Sequence, residues 1–317
     1  MRSAAERSKQ LRNAVLVSAI SLIPAGIAAA ILCLCLKLAP ALVILISALI
    51  FVIALAVLLI LWKKTDLIRS ILYYLYKVRH PEGSRKYFCP CCNRSLSGFA
   101  DMRYYDDTER FDPARFKKQR QDVICPFCYS APRQRILACW AEKNTDLLRR
   151  SEILYFAPEY SMMKWFRRNK IKVTTADLYD KRADLKLDIT KIDLPDESYD
   201  MVIANHVLEH VSSYEAALSE LRRILKPDGT MIVSFPIDPD LDTVKEQETG
   251  NAEERIRLFG QNDHVRVFGK DSEDIISSSG FSVSIIDVSD TPDPYLPVTG
   301  PADYDSNNIF ICRRTET

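Results

Sequence analysis

Two groups of residues in this chain have types and spacings that suit chemistry. The first is cysteine: Cys89-Pro90-Cys91-Cys92 and, further on, Cys125-Pro126-Phe127-Cys128. Each C-x-x-C pair can aim two sulfurs from one tight turn, so two pairs make a four-thiolate site of the structural zinc type. The ligand set is Cys89, Cys92, Cys125 and Cys128; Cys91 competes with Cys89 only by a poorer spacing. Four protein ligands leave no open position, so such a zinc is structural. The alternative is a set of free thiols. The second group is acidic and imidazole: Asp177, Asp188, Asn205-His206, His210 and His264, with His80 completing the four histidines of the chain. Carboxylates can accept hydroxyl and amino protons, and a histidine can serve as a general base. His206 and His210 stand four apart, a spacing that would also suit a metal pair on one helix face.

The elements that must position this second group are legible. Ile153–Ala157, Ile171–Thr175, Tyr199–Ala204 and Thr230–Phe235 are short apolar runs separated by helical patterns over Ile136–Leu148 and Ser213–Leu225. Strands alternating with helices predict a parallel sheet with crossover helices. Ligands of such sheets bind beyond the carboxyl ends of the strands, which is where Asp177, Asn205 and His206 fall. Ser212 or Ser213 is placed to cap the helix that follows. Gly229, in Lys226-Pro227-Asp228-Gly229, is placed to turn the chain into the next strand. Asp271–Ser279 reads as a helix ended by Gly280, Phe281–Val288 as a strand, and Asn308–Arg313 as an antiparallel edge. Before them, the stretch after Pro236 leaves the sheet, with a charged helix predicted over Glu246–Arg257.

The motifs Ala176-Asp177-Leu178, Leu187-Asp188-Ile189-Thr190, Ser198-Tyr199-Asp200, Asn205-His206-Val207-Leu208-Glu209-His210 and Leu225-Lys226-Pro227-Asp228-Gly229 together resemble the core of class I S-adenosylmethionine (SAM)-dependent methyltransferases of the type 11 kind. The resemblance implies a Rossmann-like α/β fold with a seven-stranded sheet. It implies that Asp177 binds the cofactor ribose beside Leu178, that Asp188 reads the adenine amino group with Ile189 along the ring, and that Glu159 and Asn205 complete the cofactor site. Asp200 is structural in such proteins, and the His-Val-Leu-Glu-His motif is accounted for without a metal. The chain departs from the family in Ala157-Pro158-Glu159-Tyr160-Ser161, where most members carry a glycine-rich loop. A subset with a Cys-Pro-x-Cys module, followed by an arginine-rich helix start such as Arg133-Gln134-Arg135, shares the Ala-Pro-Glu sequence. It also shares the pattern around Asp263-His264-Val265-Arg266. There His264 is the candidate base, with Asp263 or Arg266 orienting the substrate, and His206 and His210 are further catalytic candidates. Arg133 and Arg135 either meet an anionic substrate group or are solvated helix residues.

The amino-terminal part is of another kind. Ala14–Leu36 and Leu38–Trp62 hold no charged residue. One helix through both would be ~70 Å long, more than twice the ~30 Å of a bilayer core. The expectation is a hairpin of two spans, 14–36 and 41–62, turning at Lys37-Leu38-Ala39-Pro40; a lone anchor is the alternative. Arg2, Arg7, Lys9 and Arg12 before it, and Lys63, Lys64 and Arg69 after it, place both ends in the cytoplasm. The expected organisation is therefore a cytoplasmic terminus (1–13), the hairpin (14–62), a juxtamembrane helix or linker (63–84), the cysteine module (85–135) and the methyltransferase domain (136–317). The basic and aromatic stretch Phe99–Gln121 reads as a module loop near lipid headgroups. A formal net charge of +1 calls for no nucleic-acid partner, and nine cysteines with no removable signal sequence do not make a secreted disulfide scaffold. The expected activity is methyl transfer at the cytoplasmic face of the cytoplasmic membrane. The acceptor would lie near the bilayer, such as a lipid-linked or cell-surface glycan intermediate. The competing reading is a catalytically silent fold that assembles a membrane complex.

Overall fold

The computed structural model describes residues 42, 45, 48–53, 73–100, 123–238, 240–247, 250–259, 261–286 and 309–315. The chain divides into two compact units, Met1–Glu82 and Gly83–Thr317. In the first unit the described residues 48–53 and 73–79 are helical. Residues 48–53 are all exposed, including Phe51 at 68 % and Val52 at 59 %. The two expected spans fall almost wholly outside the described residues. Among the described residues no helix is long and apolar enough to cross a membrane.

The second unit begins with a small antiparallel hairpin, β1 (Tyr87–Cys89) and β2 (Arg94–Leu96). Helix α1 (Pro132–Lys143) follows the second cysteine pair, and α2 (Thr145–Arg150) follows α1 after a break at Asn144. One helix over Ile136–Leu148 was expected. Instead the helix starts earlier, with Pro132 at its first turn where a missing N–H costs nothing. It stops where the Asn144 backbone N–H bonds the Ala141 and Trp140 carbonyls.

The sheet contains β3 (Ile153–Phe156), β4 (Thr174–Ala176), β5 (Tyr199–Asn205), β6 (Leu225–Ser234), β9 (Phe281–Ile285) and β10 (Phe310–Arg314), in the order β4-β3-β5-β6-β10-β9. β3, β4, β5 and β6 are parallel; β10 runs antiparallel between β6 and β9. Continuous apolar runs such as Met201–Ala204 are what strands covered on both faces need, and these four residues are all buried. Among the described residues this sheet has six strands, not the seven that the resemblance implies. Beside β4 the chain makes a single bridge, Ala176 with Leu185. That stretch alternates Leu185, Leu187 and Ile189 with charged neighbours.

Helix α3 (Tyr160–Arg168) links β3 to β4, and α4 (Tyr214–Ile224) links β5 to β6. Ser213 caps α4, its hydroxyl accepting from the Ala216 N–H at 3.1 Å. The expected turn before the fifth strand is a bulge inside β6: pairing jumps from Tyr199–Leu225 to Met201–Thr230. Asp228 takes the left-handed backbone (φ 60). Gly229 leaves room where a Cβ would lie 2.8 Å from the Lys226 carbonyl.

After β6 the chain forms a cover of β7 (Lys245–Glu246), α5 (Ala252–Phe259) and β8 (Arg266–Val267), with β7 and β8 antiparallel. The helix expected from Glu246 thus begins later, at Ala252. Helix α6 (Ser272–Ser278) then leads into β9.

Candidate functional site

The strand order reverses between β3 and β5: from β3 the chain builds outward to β4 on one side and to β5 and β6 on the other. The crevice beyond the carboxyl ends of two such strands is the ligand site of open α/β sheets. At both ends the backbone is left-handed in a residue other than glycine, Ala157 (φ 45) after β3 and His206 (φ 53) at the end of β5. Such positions cost roughly 1–3 kcal/mol each and gather at ligand sites. The loop after β3 therefore makes a tight turn without glycine. Ala157 donates its N–H to the Ala176 carbonyl at 2.8 Å, which ties the ends of β3 and β4 together.

Asp177 follows β4 directly. Its Oδ1 accepts the backbone N–H groups of Tyr179 (2.7 Å) and Asp180 (2.8 Å). Oδ2 accepts no hydrogen bond among the described residues, so the carboxylate is held by one oxygen and offers the other. Leu178 is half-buried beside it, and Tyr179 is 86 % exposed. Asp188 is exposed and closes its own turn, accepting from the N–H and hydroxyl of Thr190 at 2.9 and 2.7 Å. Ile189 is buried in the core cluster with Ile192 and Leu208.

Asn205 is buried and accepts from the Ser234 hydroxyl at 2.9 Å. Glu159 precedes the first turn of α3, but its carboxylate turns inward. Oε1 accepts from Arg133 at 3.2 Å and from the Gln134 amide, and Oε2 accepts from the Tyr155 hydroxyl at 3.1 Å. Burial pushes the Tyr155 hydroxyl well above its ordinary pKa, with the Glu159 charge acting in the same direction. It is therefore a fixed donor. Asp200 stands at the opposite end of β5, paired with Lys226 at 3.1 Å and accepting the Glu152 N–H at 2.8 Å, a structural role as expected.

The histidines converge. Glu209 and His210 were expected on a helix. They lie instead in an irregular turn, 206–213, because His206 leaves β5 left-handed and α4 starts only at its Ser213 cap. Glu209 is fully buried and faces three imidazoles. His206 Nδ1 lies 3.0 Å from its Oε1 and His210 Nε2 3.9 Å. His264, from the cover, is buried with its ring edge-on to His210 at 4.7 Å. Burial alone would raise the Glu209 carboxyl, but the facing imidazoles outweigh it and hold it at about 2. Burial depresses His264 to about 4. The pattern is an ionised carboxylate beside a neutral buried imidazole.

Arg266 is not a substrate ligand. It is buried, donates to the carbonyls of Leu208 (2.6 Å), Val211 (2.6 Å) and Ser212 (3.2 Å), pairs with Glu246 and lies over the Tyr214 ring. It fastens the cover onto the histidine turn. Val265 N–H adds a bond to the Glu209 carbonyl at 3.0 Å.

The four expected cysteines form a cluster, all buried, with their sulfurs within 4.8 Å of one another. Cys89–Cys128 and Cys92–Cys125 are 3.6 and 3.8 Å apart. A tetrahedral zinc with ~2.3 Å Zn–S bonds places its sulfurs ~3.8 Å apart, so the spacing fits. The residue after each second cysteine, Asn93 (φ 57) and Tyr129 (φ 58), is left-handed and turns the knuckle back. Cys91 donates its thiol to the Gln134 carbonyl at 3.3 Å and is not one of the four clustered sulfurs. Arg135 is buried, donating to the Val123 and Ser130 carbonyls at 2.9 and 2.6 Å, with its guanidinium over the Phe99 ring. It is neither solvated nor available to a substrate.

Residues 139–233 match the model of a family described as "Methyltransferase domain". The match covers just under a third of the chain and gives that stretch the likeness of a methyltransferase domain. Among solved structures it is similar to the YcgJ protein of Bacillus subtilis (15% identity, 58% of this chain and 100% of that one, TM-score 0.40). It is also similar to a SAM-dependent methyltransferase of Archaeoglobus fulgidus (13%, 57% and 94%, 0.38). A third likeness is to the 1,6-didemethyltoxoflavin-N1-methyltransferase of Burkholderia thailandensis, solved with S-adenosylhomocysteine (16%, 57% and 78%, 0.36). At these scores none bears weight beyond the strand order already described. No curated protein matches the chain.

Sequence reasoning missed the residues that join the cysteine module to the α/β domain. Arg133 and Gln134 reach Glu159 from the module side. Arg168, at the end of α3, donates to the knuckle carbonyls of Pro90 (2.8 Å) and Cys91 (3.0 Å). The module thus grips both ends of the helix whose amino terminus borders the crevice. Glu209 was also missed as a site residue; its one signal was its place between two histidines.

Proposed function

We propose that this protein is a membrane-anchored methyltransferase that binds SAM in the crevice between β3 and β5 and modifies an acceptor held near the cytoplasmic face of the bilayer. The observation that carries the reading is the crevice itself: an offered carboxylate oxygen at Asp177, left-handed turns at Ala157 and His206, and Asn205 buried between them. Asp177 would hold the ribose hydroxyls, Leu178 would flank them, and Asp188 with Ile189 would border the adenine. The first-turn N–H groups of α3 would take the cofactor carboxylate. Glu159 supports that turn through Arg133, Gln134 and Tyr155. The cofactor, when bound, supplies a methyl carbon already activated by its sulfonium. The chain's own task is to exclude water, align the acceptor and take up its proton. His206, His210 and His264, brought together by the turn and the cover, would be the candidates to take up that proton.

The cysteine cluster would hold a structural Zn²⁺ at Cys89, Cys92, Cys125 and Cys128 and so fix α3 through Arg168 and Arg133. The uncharged runs 14–36 and 41–62, with their basic flanks and the uncovered apolar side chains of residues 48–53, support the anchor. An acceptor that is itself lipid-linked, or a glycan intermediate made at the membrane, would explain why a methyltransferase is tethered there. Fractionation tests the anchor. The full chain should stay with membranes through an alkaline wash, and a variant lacking residues 1–62 should be released. Release of the full chain would refute it.

A further inference from the structure

The turn and the cover together build a site that methyl transfer by itself does not require. Glu209 is fully buried; His206 Nδ1 meets its Oε1 at 3.0 Å, while Oε2 has no hydrogen-bond partner among the described residues. A buried carboxylate oxygen left without a partner is costly unless something cationic meets it. His206 Nε2 is buried and equally unpartnered. His210 and His264 both use Nδ1 on a backbone carbonyl, His210 on Asp263 at 3.2 Å and His264 on Phe259 at 3.0 Å. That outer bond fixes the tautomer and leaves Nε2 as the free lone pair, the arrangement of metal-bound histidines. One ligand atom each from Glu209, His210 and His264 lie within 4.8 Å of one another.

We infer that Glu209, His210 and His264 form a binding site for a first-row divalent cation, with His206 held against Glu209 through Nδ1. Two imidazoles and one carboxylate suit Zn²⁺, Fe²⁺ or Mn²⁺, and three protein ligands leave open positions. The cation would meet the buried charge of Glu209. An acceptor hydroxyl that reached an open position would gain a direct anchor. This role for the site rests on the methyltransferase reading; the site itself rests on the three residues. On this inference the His-Val-Leu-Glu-His motif would take part in metal binding. The motif supplies two ligands, and the third arrives from the cover, which Arg266 and the Val265 N–H clamp in place.

The test is a Mn²⁺ titration of the full chain in detergent, after chelation, followed by electron paramagnetic resonance. S-adenosylhomocysteine binding is measured calorimetrically on the same samples. The expected result is one Mn²⁺ per chain in addition to any metal retained by the cysteine cluster. It should weaken by on the order of 100-fold in Glu209→Gln and in the more exposed His210→Asn, with S-adenosylhomocysteine affinity kept. Loss of an outer-shell partner already costs ~10–100-fold. Absence of binding, or binding unchanged in both variants, overturns the site and leaves the methyltransferase reading intact. Mn²⁺ binding that depends on Glu209 and His210, in a wild-type chain that binds no S-adenosylhomocysteine, supports the site and sinks the cofactor reading instead.

Discussion

Glu159→Gln separates bracing of the cofactor loop from contact with the cofactor. Glu159 and Arg133 form a buried pair, 7 % and 4 % exposed, at 3.2 Å, and Gln134 and the Tyr155 hydroxyl complete the carboxylate's shell. Removing one charge takes from the buried Arg133 guanidinium the Glu159 carboxylate it meets at 3.2 Å. Breaking such a pair costs ~3–5 kcal/mol, or roughly 6–20 °C in Tm for a unit of this size. The double variant Arg133→Met/Glu159→Gln should recover most of that loss, because a buried pair replaced as a unit is nearly neutral. Thermal unfolding and S-adenosylhomocysteine calorimetry on the four proteins form the cycle. If Glu159 is a brace, Arg133→Met weakens cofactor binding as Glu159→Gln does, and the two effects are not additive. The bracing argument fails if Glu159→Gln loses the cofactor at unchanged Tm while Arg133→Met binds normally.

Other outcomes follow from single contacts. Gly280 has φ +86, and a Cβ there would lie 2.4 Å from Arg222 Nε. Gly280→Ala should cost ~1–3 kcal/mol in denaturant unfolding, whereas Gly98→Ala, with nothing within 4 Å of its Cβ, should not. Cys128→Ser should remove the zinc measured by mass spectrometry from the cysteine cluster and lower the unfolding midpoint, since the knuckle that Arg168 grips loses its metal. An unchanged metal content would count against the four-thiolate site. Arg266→Lys keeps the charge but not the fork over Leu208, Val211 and Ser212. It should loosen the histidine turn, seen as faster amide exchange at residues 208–212.

The sheet was legible because its strands are covered on both faces. Met201–Ala204 and Met231–Val233 must be continuously apolar, and turns and caps such as Ser213 mark their surroundings. The outer edge was not, since one bridge at Leu185 leaves no run to read. The four cysteines were named by spacing, and Asp177, Asp188 and Asn205 through a resemblance; each lies in a local turn or at a strand end. The arginines were misread for a physical reason. Arg133, Arg135 and Arg266 look like anion ligands in a sequence, but their forks meet carbonyls and a carboxylate brought from distant segments. The turn 206–213 carries a helical pattern, and only the left-handed backbone of His206 breaks it. The convergence of His264 on Glu209 depends on where the cover folds back, which no local spacing encodes.

The central claim is a SAM site whose ribose carboxylate is Asp177. The most direct measurement is a calorimetric titration of SAM into the full chain in detergent, beside Asp177→Ala. Charge-assisted hydrogen bonds of ~1.5–3 kcal/mol correspond to roughly 10- to 150-fold in affinity. The account expects micromolar binding that weakens by that factor in the variant. No binding by a folded wild-type chain, or equal binding by both proteins, would contradict it.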